Sequence, residues 1–137
     1  MNGRDLIEVD QFLSHPPERV WRALTDPALL ARWLMPNNFK AQPGYRFTLD
    51  AGRYGRTDCQ VLDIEPERLI RFSWRNDTLD TTVTWRLEPE GNGTRLFITH
   101  AGFDPQDTSQ RAAFDAMLSG WRGPILAALQ RVLESRE

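Results

Sequence analysis

Hydrophobic and polar residues alternate along several segments of the chain, a pattern typical of strands that bury one face. The first segment runs from Leu6 to Leu13, where Ile7, Val9 and Leu13 share a face and Phe12 falls outside the pattern. Five more follow from residue 45 onward, about ten residues each and separated by short turns, one of them flanked by Gly52 and Gly55. The residues expected to face inward there include Tyr45, Phe47, Leu49, Ile70, Phe72, Trp74, Val83, Trp85, Leu87, Leu96, Ile98 and His100.

The last two strands fix each other's register. If Gly91 and Asn92 form a two-residue hairpin turn, the facing pairs are Leu87 with Leu96, Trp85 with Ile98, and Val83 with His100. This pairing collects the large apolar residues on one face and places His100 among them.

The strand from Thr57 to Ile64 has two alternative registers. One turn length at Pro66 directs Cys59 and Val61 inward, and a slip of one residue directs Leu62 and Ile64 inward instead. The sequence leaves both open.

Two short helices are predicted after the first strand. Pro16 and Pro17 open the first helix, whose expected buried side is Val20, Trp21 and Leu24. Asp26 followed by Pro27 is an N-cap signal for the second, which carries Leu29, Leu30 and Trp33.

A long amphipathic helix is predicted over residues 106–135. Its apolar residues recur every three or four positions and form one stripe: Phe114, Met117, Leu118, Trp121, Ile125, Leu129, Val132 and Leu133. Such a helix would be ~45 Å long, and the concave face of a curved sheet is its natural partner. Pro124, with Gly120 and Gly123 beside it, predicts a bend in its middle.

Strands grouped together and covered by a helix predict an α+β layer architecture, with about six antiparallel strands. The chain of 137 residues suits one domain, residues 1–137. A net charge of -2 argues against a nucleic-acid surface, and the single cysteine, Cys59, reads as a small core residue. The first residues lack the apolar core of a signal peptide, and no apolar run reaches membrane-spanning length, so we expect a cytoplasmic protein.

Several motifs in this order resemble one known family. They are Pro17-Glu18-Arg19-Val20-Trp21, Asp26-Pro27 through Trp33, Pro66-Glu67-Arg68-Leu69 through Trp74, Thr94-Arg95-Leu96 through Phe103, and Gly120-Trp121 through Leu129. The sequence resembles the family named after the activator of the heat-shock-protein-90 ATPase, within the START-like superfamily, also called SRPBCC. The resemblance implies a helix-grip fold with an apolar cavity between the sheet and the C-terminal helix. It implies little about chemistry, since one fold hosts many functions.

The sequence predicts no metal site, no cofactor and no assigned catalytic residue. Its two histidines, His15 and His100, have no neighbours at ligand spacing, and no Gly-x-Ser-x-Gly element is present. The informative set is the inward aromatic and flexible residues, which we predict to line a binding site with His100: Trp33, Tyr45, Phe47, Trp74, Trp85, His100, Phe114, Met117 and Trp121.

His100 is the best candidate for polar chemistry, although a hydrogen-bonded structural role is the more frequent one for such a residue. Arg46 is expected to face solvent; it would become a cavity cation for a carboxylate ligand only if its strand were reversed in register.

The sequence is compatible with three alternative functions. The leading hypothesis is binding of a small hydrophobic or aromatic molecule between the sheet and the C-terminal helix. The second is a cyclase- or hydrolase-like enzyme that uses His100 with a nearby Asp or Arg. The third is a partner-binding module, a chaperone accessory or a homodimer, which would use Phe12 and the outer face of the long helix.

Overall fold

The computed structural model describes residues 5–52 and 55–135. Residues 1–4, used above to argue against a signal peptide, and residues 53 and 54 of the predicted glycine-flanked turn lie outside these ranges. The elements, in chain order, are β1 (Leu6–Leu13), α1 (Pro17–Thr25), α2 (Pro27–Trp33), β2 (Arg46–Asp50), β3 (Arg56–Glu65), β4 (Leu69–Arg75), β5 (Asp80–Glu90), β6 (Gly93–Ala101), α3 (Thr108–Arg122) and α4 (Pro124–Glu134).

These strands form one curved antiparallel sheet in the order β1-β6-β5-β4-β3-β2. The helices cover one face of it: α3 packs on β1, α1 contacts β5 and β6, and α4 lies against α1 and α2. The predicted α+β class and helix-grip architecture are confirmed, and the core lies between the sheet and this helical layer.

The predicted hairpin between β5 and β6 is confirmed. Glu90 pairs with Gly93 across the two-residue turn, and Leu87 lies opposite Leu96. Val83 lies opposite His100, and both side chains are buried in the inner face.

A β-bulge in β3 explains why its register was ambiguous. Val61 pairs with Phe72, whereas Asp63 pairs with Arg71, so Leu62 is the extra residue. Before the bulge Cys59 and Val61 point inward; after it Ile64 comes onto the inner face opposite Ile70, and Leu62 is left exposed. The first alternative is therefore confirmed for Cys59 and Val61, whereas the second is right for Ile64 and wrong for Leu62.

The two short helices begin where the proline signals place them. The carboxylate of Asp26 accepts a hydrogen bond from the amide of Ala28 at 2.9 Å, which caps α2. On α1 the buried residues are Val20, Ala23 and Leu24. Trp21, expected on the same side, is half-buried and packs against the core.

The predicted long C-terminal helix is divided at Gly123, so the predicted bend is in fact a break. The φ and ψ of Gly123 are -125° and -95°, and its amide donates to the carbonyl oxygens of Ser119 and Gly120. Pro124, which has no amide hydrogen, then starts α4 at a position where none is needed. The apolar stripe continues across the break, with Leu126 as a further buried residue.

Among residues 5–52 and 55–135, no helix combines the length and the apolar character that crossing a membrane requires.

Candidate functional site

The nine residues predicted to line a site all lie between the sheet and the helices. Seven of them are buried: Trp33, Phe47, Trp74, Trp85, His100, Phe114 and Trp121. Met117 and Tyr45 are half-buried and pack against the same core. Tyr45 directly precedes β2, which begins one residue later than predicted.

Most of these rings belong to one connected group, which we call the inner aromatic cluster. It consists of Trp33, Phe39, Phe47, Phe72, Trp74, Trp85, His100, Phe103, Phe114 and Trp121. Phe72 and Trp85 lie at its centre, with ring centroids 5.0 Å apart at an interplanar angle of 72°. Trp121 reaches down from α3 onto Trp74 and Trp85. These edge-to-face contacts are the arrangement that the ring quadrupoles favour.

Sequence reasoning missed Phe39, Phe72 and Phe103 as members of this cluster. Phe72 had a signal, since it alternates with polar residues on β4 and was already expected to face inward. Phe39 and Phe103 stand in connecting segments, where no periodicity reveals which way a side chain points.

His100 is completely buried, and both of its ring nitrogens are engaged in hydrogen bonds. The indole N–H of Trp121 donates to Nδ1 at 3.2 Å. Nε2 lies 2.8 Å from Oγ1 of Thr81, and that hydroxyl donates its own proton to the carbonyl oxygen of Trp74 at 2.9 Å. Nε2 must therefore be the protonated nitrogen and donate to Thr81. The contacts fix one neutral tautomer.

Burial lowers the pKa of His100 to about 3, because an imidazolium would lose its hydration there. The described contacts of its ring are Thr81 and three aromatic residues, Trp74, Phe103 and Trp121, and none is an Asp or Arg. Without an accessible lone pair, this imidazole cannot take a proton from a substrate in the present arrangement. Thr81 was missed at the sequence level, although extending the β5 alternation two residues back from Val83 would have found it.

Two other indole groups in the cluster lack a hydrogen-bond partner. The Nε1 atoms of Trp74 and Trp85 are buried, and neither finds an acceptor in the described part of the chain. By contrast, Nε1 of Trp33 donates to the carbonyl oxygen of Ala23 at 2.8 Å. A buried donor without an acceptor is uncommon in proteins and destabilises the fold.

The interior around the cluster carries no formal charge. Apart from apolar residues and glycine, the buried residues of ranges 5–52 and 55–135 are Thr57, Thr81, Thr94 and the neutral His100. Cys59 is also buried, and desolvation raises the pKa of its thiol to about 12, so it remains protonated. Within the described ranges, no cluster of three or more His, Cys, Asp or Glu could hold a metal ion.

The register of β2 is not reversed, so Arg46 does not point into the core. Phe47 is buried on the inner face, and Arg46 is exposed on the opposite face of β2. A carboxylate ligand in the core would therefore find no partner in Arg46.

Two depressions of the surface lie apart from the inner aromatic cluster. One of about 590 Å³ borders Arg75 and the turn after it, and one of about 650 Å³ borders the turn between β3 and β4. Neither is lined by any of the nine predicted residues. Because the cluster's rings touch one another, a guest between them would have to part them.

Comparison with known proteins gives a consistent family signal. The model of the family described as Activator of Hsp90 ATPase homolog 1-like protein matches residues 14–134. No curated protein is significantly similar to the chain.

Solved structures show the same fold over nearly the whole chain. Protein MLL2253 from Mesorhizobium loti is 34% identical, with a TM-score of 0.86 and coverage of 96% of this chain and 98% of that one. Protein BH1534 from Bacillus halodurans is 30% identical, with a TM-score of 0.80 and coverage of 94% and 96%. DynU16, from the dynemicin biosynthetic locus, is 25% identical with a TM-score of 0.82; 96% of this chain matches 48% of that one, about half of its length.

Proposed function

The chain belongs to the family of Activator of Hsp90 ATPase homolog 1-like proteins, and we propose that it binds a small hydrophobic or aromatic molecule between the sheet and helices α3 and α4. The observation that carries the proposal is the inner aromatic cluster beneath α3. Sequence neighbours of known structure support the fold, and one of them, DynU16, comes from a biosynthetic locus, which is in keeping with a small-molecule guest.

The energetic basis is apolar burial. A guest that buries about 200 Å² of apolar surface gains about 5 kcal/mol at ~25 cal/mol per Å². Aromatic rings add edge-to-face contacts to a flat guest, at about 1 kcal/mol each. These gains must exceed the free energy needed to separate the rings that now touch.

Helix α3 is the element best suited to make room. Two of its fifteen residues, Phe114 and Trp121, are buried and Met117 and Leu118 are half-buried, whereas four of the eleven residues of α4 are buried, so α3 is the less firmly anchored helix. Glycines stand near both ends: Gly102, with a φ of 101°, comes before it, and Gly123 separates it from α4. Displacement of α3 would lift Trp121 from Trp74 and Trp85 and open the centre of the cluster.

The test is a binding assay on the intact protein. Native mass spectrometry after gentle purification should detect a bound small molecule, and fatty-acid and polyketide-like panels should quench tryptophan fluorescence at one site per chain. Trp21→Phe is the matched control, because Trp21 lies on α1 outside the cluster, and this variant should keep the quenching. Failure of every apolar molecule to bind would contradict the proposal.

A further inference from the structure

The unpartnered N–H groups of Trp74 and Trp85 distinguish these two residues from the other buried indoles. Trp33 and Trp121 have the same donor, and both use it within the protein, at 2.8 Å and 3.2 Å. Trp74 and Trp85 are 5% and 1% exposed, so water has little access to them. Packing alone does not call for an indole at these positions, since a phenylalanine would bury a ring without burying a donor.

The two donors belong to one patch of the inner face. Trp74 and Trp85 lie on the adjacent strands β4 and β5, and both rings contact Trp121, with centroids 6.2 Å and 6.4 Å away. Both also contact Phe72, at 6.4 Å and 5.0 Å. Displacing Trp121 would therefore uncover both indole rings to a single small molecule.

The nearby polar atoms do not supply the missing acceptor. Nδ1 of His100 already accepts from Trp121, and Nε2 carries the proton given to Thr81. The Thr81 hydroxyl proton is in turn held by the carbonyl oxygen of Trp74. The Thr81 oxygen keeps a second lone pair, but neither indole N–H reaches it or another acceptor in the described part of the chain.

The charge of the surroundings limits the guest further. No Lys, Arg, Asp or Glu is buried in residues 5–52 and 55–135, and His100 is neutral because its burial disfavours the imidazolium. A carboxylate or an ammonium placed here would lose its hydration without gaining an ionic partner. A neutral oxygen atom can accept hydrogen bonds from the two indoles without the cost of removing an ion from water.

From these observations we infer that the ligand is a flat, neutral molecule with a carbonyl-type oxygen, which accepts hydrogen bonds from Trp74 and Trp85. This inference rests on the proposed function and narrows it to a ligand class. It separates aryl ketones and related neutral carbonyl compounds from plain hydrocarbons and from fatty acids in their ionised form.

Three probes with one ring skeleton test it: fluorene, fluorenone and fluorene carboxylate. Equilibrium dialysis against the intact chain gives the three dissociation constants. Fluorenone should bind about tenfold more tightly than fluorene, since it makes a hydrogen bond to a buried donor, and the carboxylate should bind most weakly. Trp74→Phe and Trp85→Phe should each reduce the preference for fluorenone, whereas Trp21→Phe should leave it unchanged.

A measurement on the unmodified protein covers the case in which these variants fail to fold. In ¹⁵N-labelled protein, fluorenone should shift the indole N–H resonances of Trp74 and Trp85 downfield, and fluorene should not. Equal affinity for fluorene and fluorenone, with no downfield shift, would overturn the inference and leave the proposed function standing. That result would indicate that contacts with the faces of neighbouring rings are enough to satisfy the indole N–H groups of Trp74 and Trp85. If none of the three probes binds, the inference fails, and the fatty-acid and polyketide-like panels then decide the proposed function.

Discussion

The indole N–H of Trp121 donates a hydrogen bond to Nδ1 of His100 across 3.2 Å, and this bond joins α3 to β6 inside the core. It connects the helix that covers the inner face to the strand that carries the buried imidazole. The same bond determines which nitrogen of His100 is protonated, because Nδ1 has to accept. The position of α3 and the protonation of His100 are thereby coupled.

Replacing Trp121 with phenylalanine should remove this coupling. Trp121→Phe leaves Nδ1 of His100 buried without a donor, so the free energy of unfolding should fall by about 1–3 kcal/mol, with a further loss for the reduced ring volume. Urea denaturation measures the change. Trp21→Phe, on the half-buried side of α1, should cost less. Equal losses in the two variants would show that the hydrogen bond contributes nothing specific.

Acidification should destabilise the fold through His100. The pKa of His100 is lowered from 6.5 to about 3 in the folded protein. Below pH 6.5 the imidazole is therefore protonated in the unfolded chain and remains neutral in the folded chain. This contribution to stability is complete above pH 6.5 and is lost as the pH falls, by about 1.4 kcal/mol per pH unit at most. From pH 7 to pH 5 the loss should be about 2 kcal/mol.

Urea titrations at pH 7 and pH 5 measure that loss. The pKa values of Glu90 and Asp107 are lowered from 4.5 and 3.8. Protonation of these carboxylates therefore changes the stability mainly below pH 5, outside the range of the two titrations. The ring-proton resonances of His100 should stay unchanged over the same range. A His100 resonance that titrates in the folded protein would contradict the account.

Gly93 should tolerate no larger residue. A Cβ at this position would stand 2.4 Å from the carbonyl oxygen of Leu13 and 2.7 Å from Cζ of Phe12, so β1 would have to shift. Gly93→Ala should therefore lower the free energy of unfolding by about 1–3 kcal/mol. Gly120→Ala is the matched control: its nearest neighbour is the flexible end of Ile125 at 3.3 Å, and alanine favours a helix. The two variants should move the thermal midpoint in different directions.

The contact between Phe12 and Gly93 also concerns the surface on which Phe12 was expected to bind a partner. The ring of Phe12 lies against Gly93 and is half-buried, so its departure from the strand pattern has an explanation within the chain. An unchanged free energy of unfolding in Gly93→Ala would show that the ring of Phe12 does not pack against residue 93.

The fold could be predicted where a repeating pattern met a strong turn signal. The alternation around Val83, Trp85 and Leu87 and the Gly91-Asn92 turn were enough to give the β5–β6 register residue by residue. The same reasoning could not settle β3, because its apolar residues occupy both phases of the alternation and the bulge at Leu62 changes the phase, so that Val61 and Ile64 both face inward. Pro124 predicted a bend, but whether a helix bends or breaks depends on the φ and ψ that Gly123 adopts.

The candidate site was predictable in composition and not in detail. Inward-facing aromatics follow from strand phase, so Trp74 and Trp85 could be assigned to the interior. Which indole finds an acceptor depends on side-chain rotamers and on three-dimensional neighbours. Thr81 and Trp121 are nineteen and twenty-one residues away from His100 in sequence, and no spacing rule connects them to it.

The central claim is that the space between the sheet and α3 is the binding site, and intermolecular NOEs with bound fluorenone test it most directly. We predict NOEs from the ligand protons to the ring protons of Trp74, Trp85 and Trp121, which line the centre of the inner aromatic cluster. NOEs confined to the outer face, such as those to Arg46 and Arg75 beside the surface depressions, would contradict it.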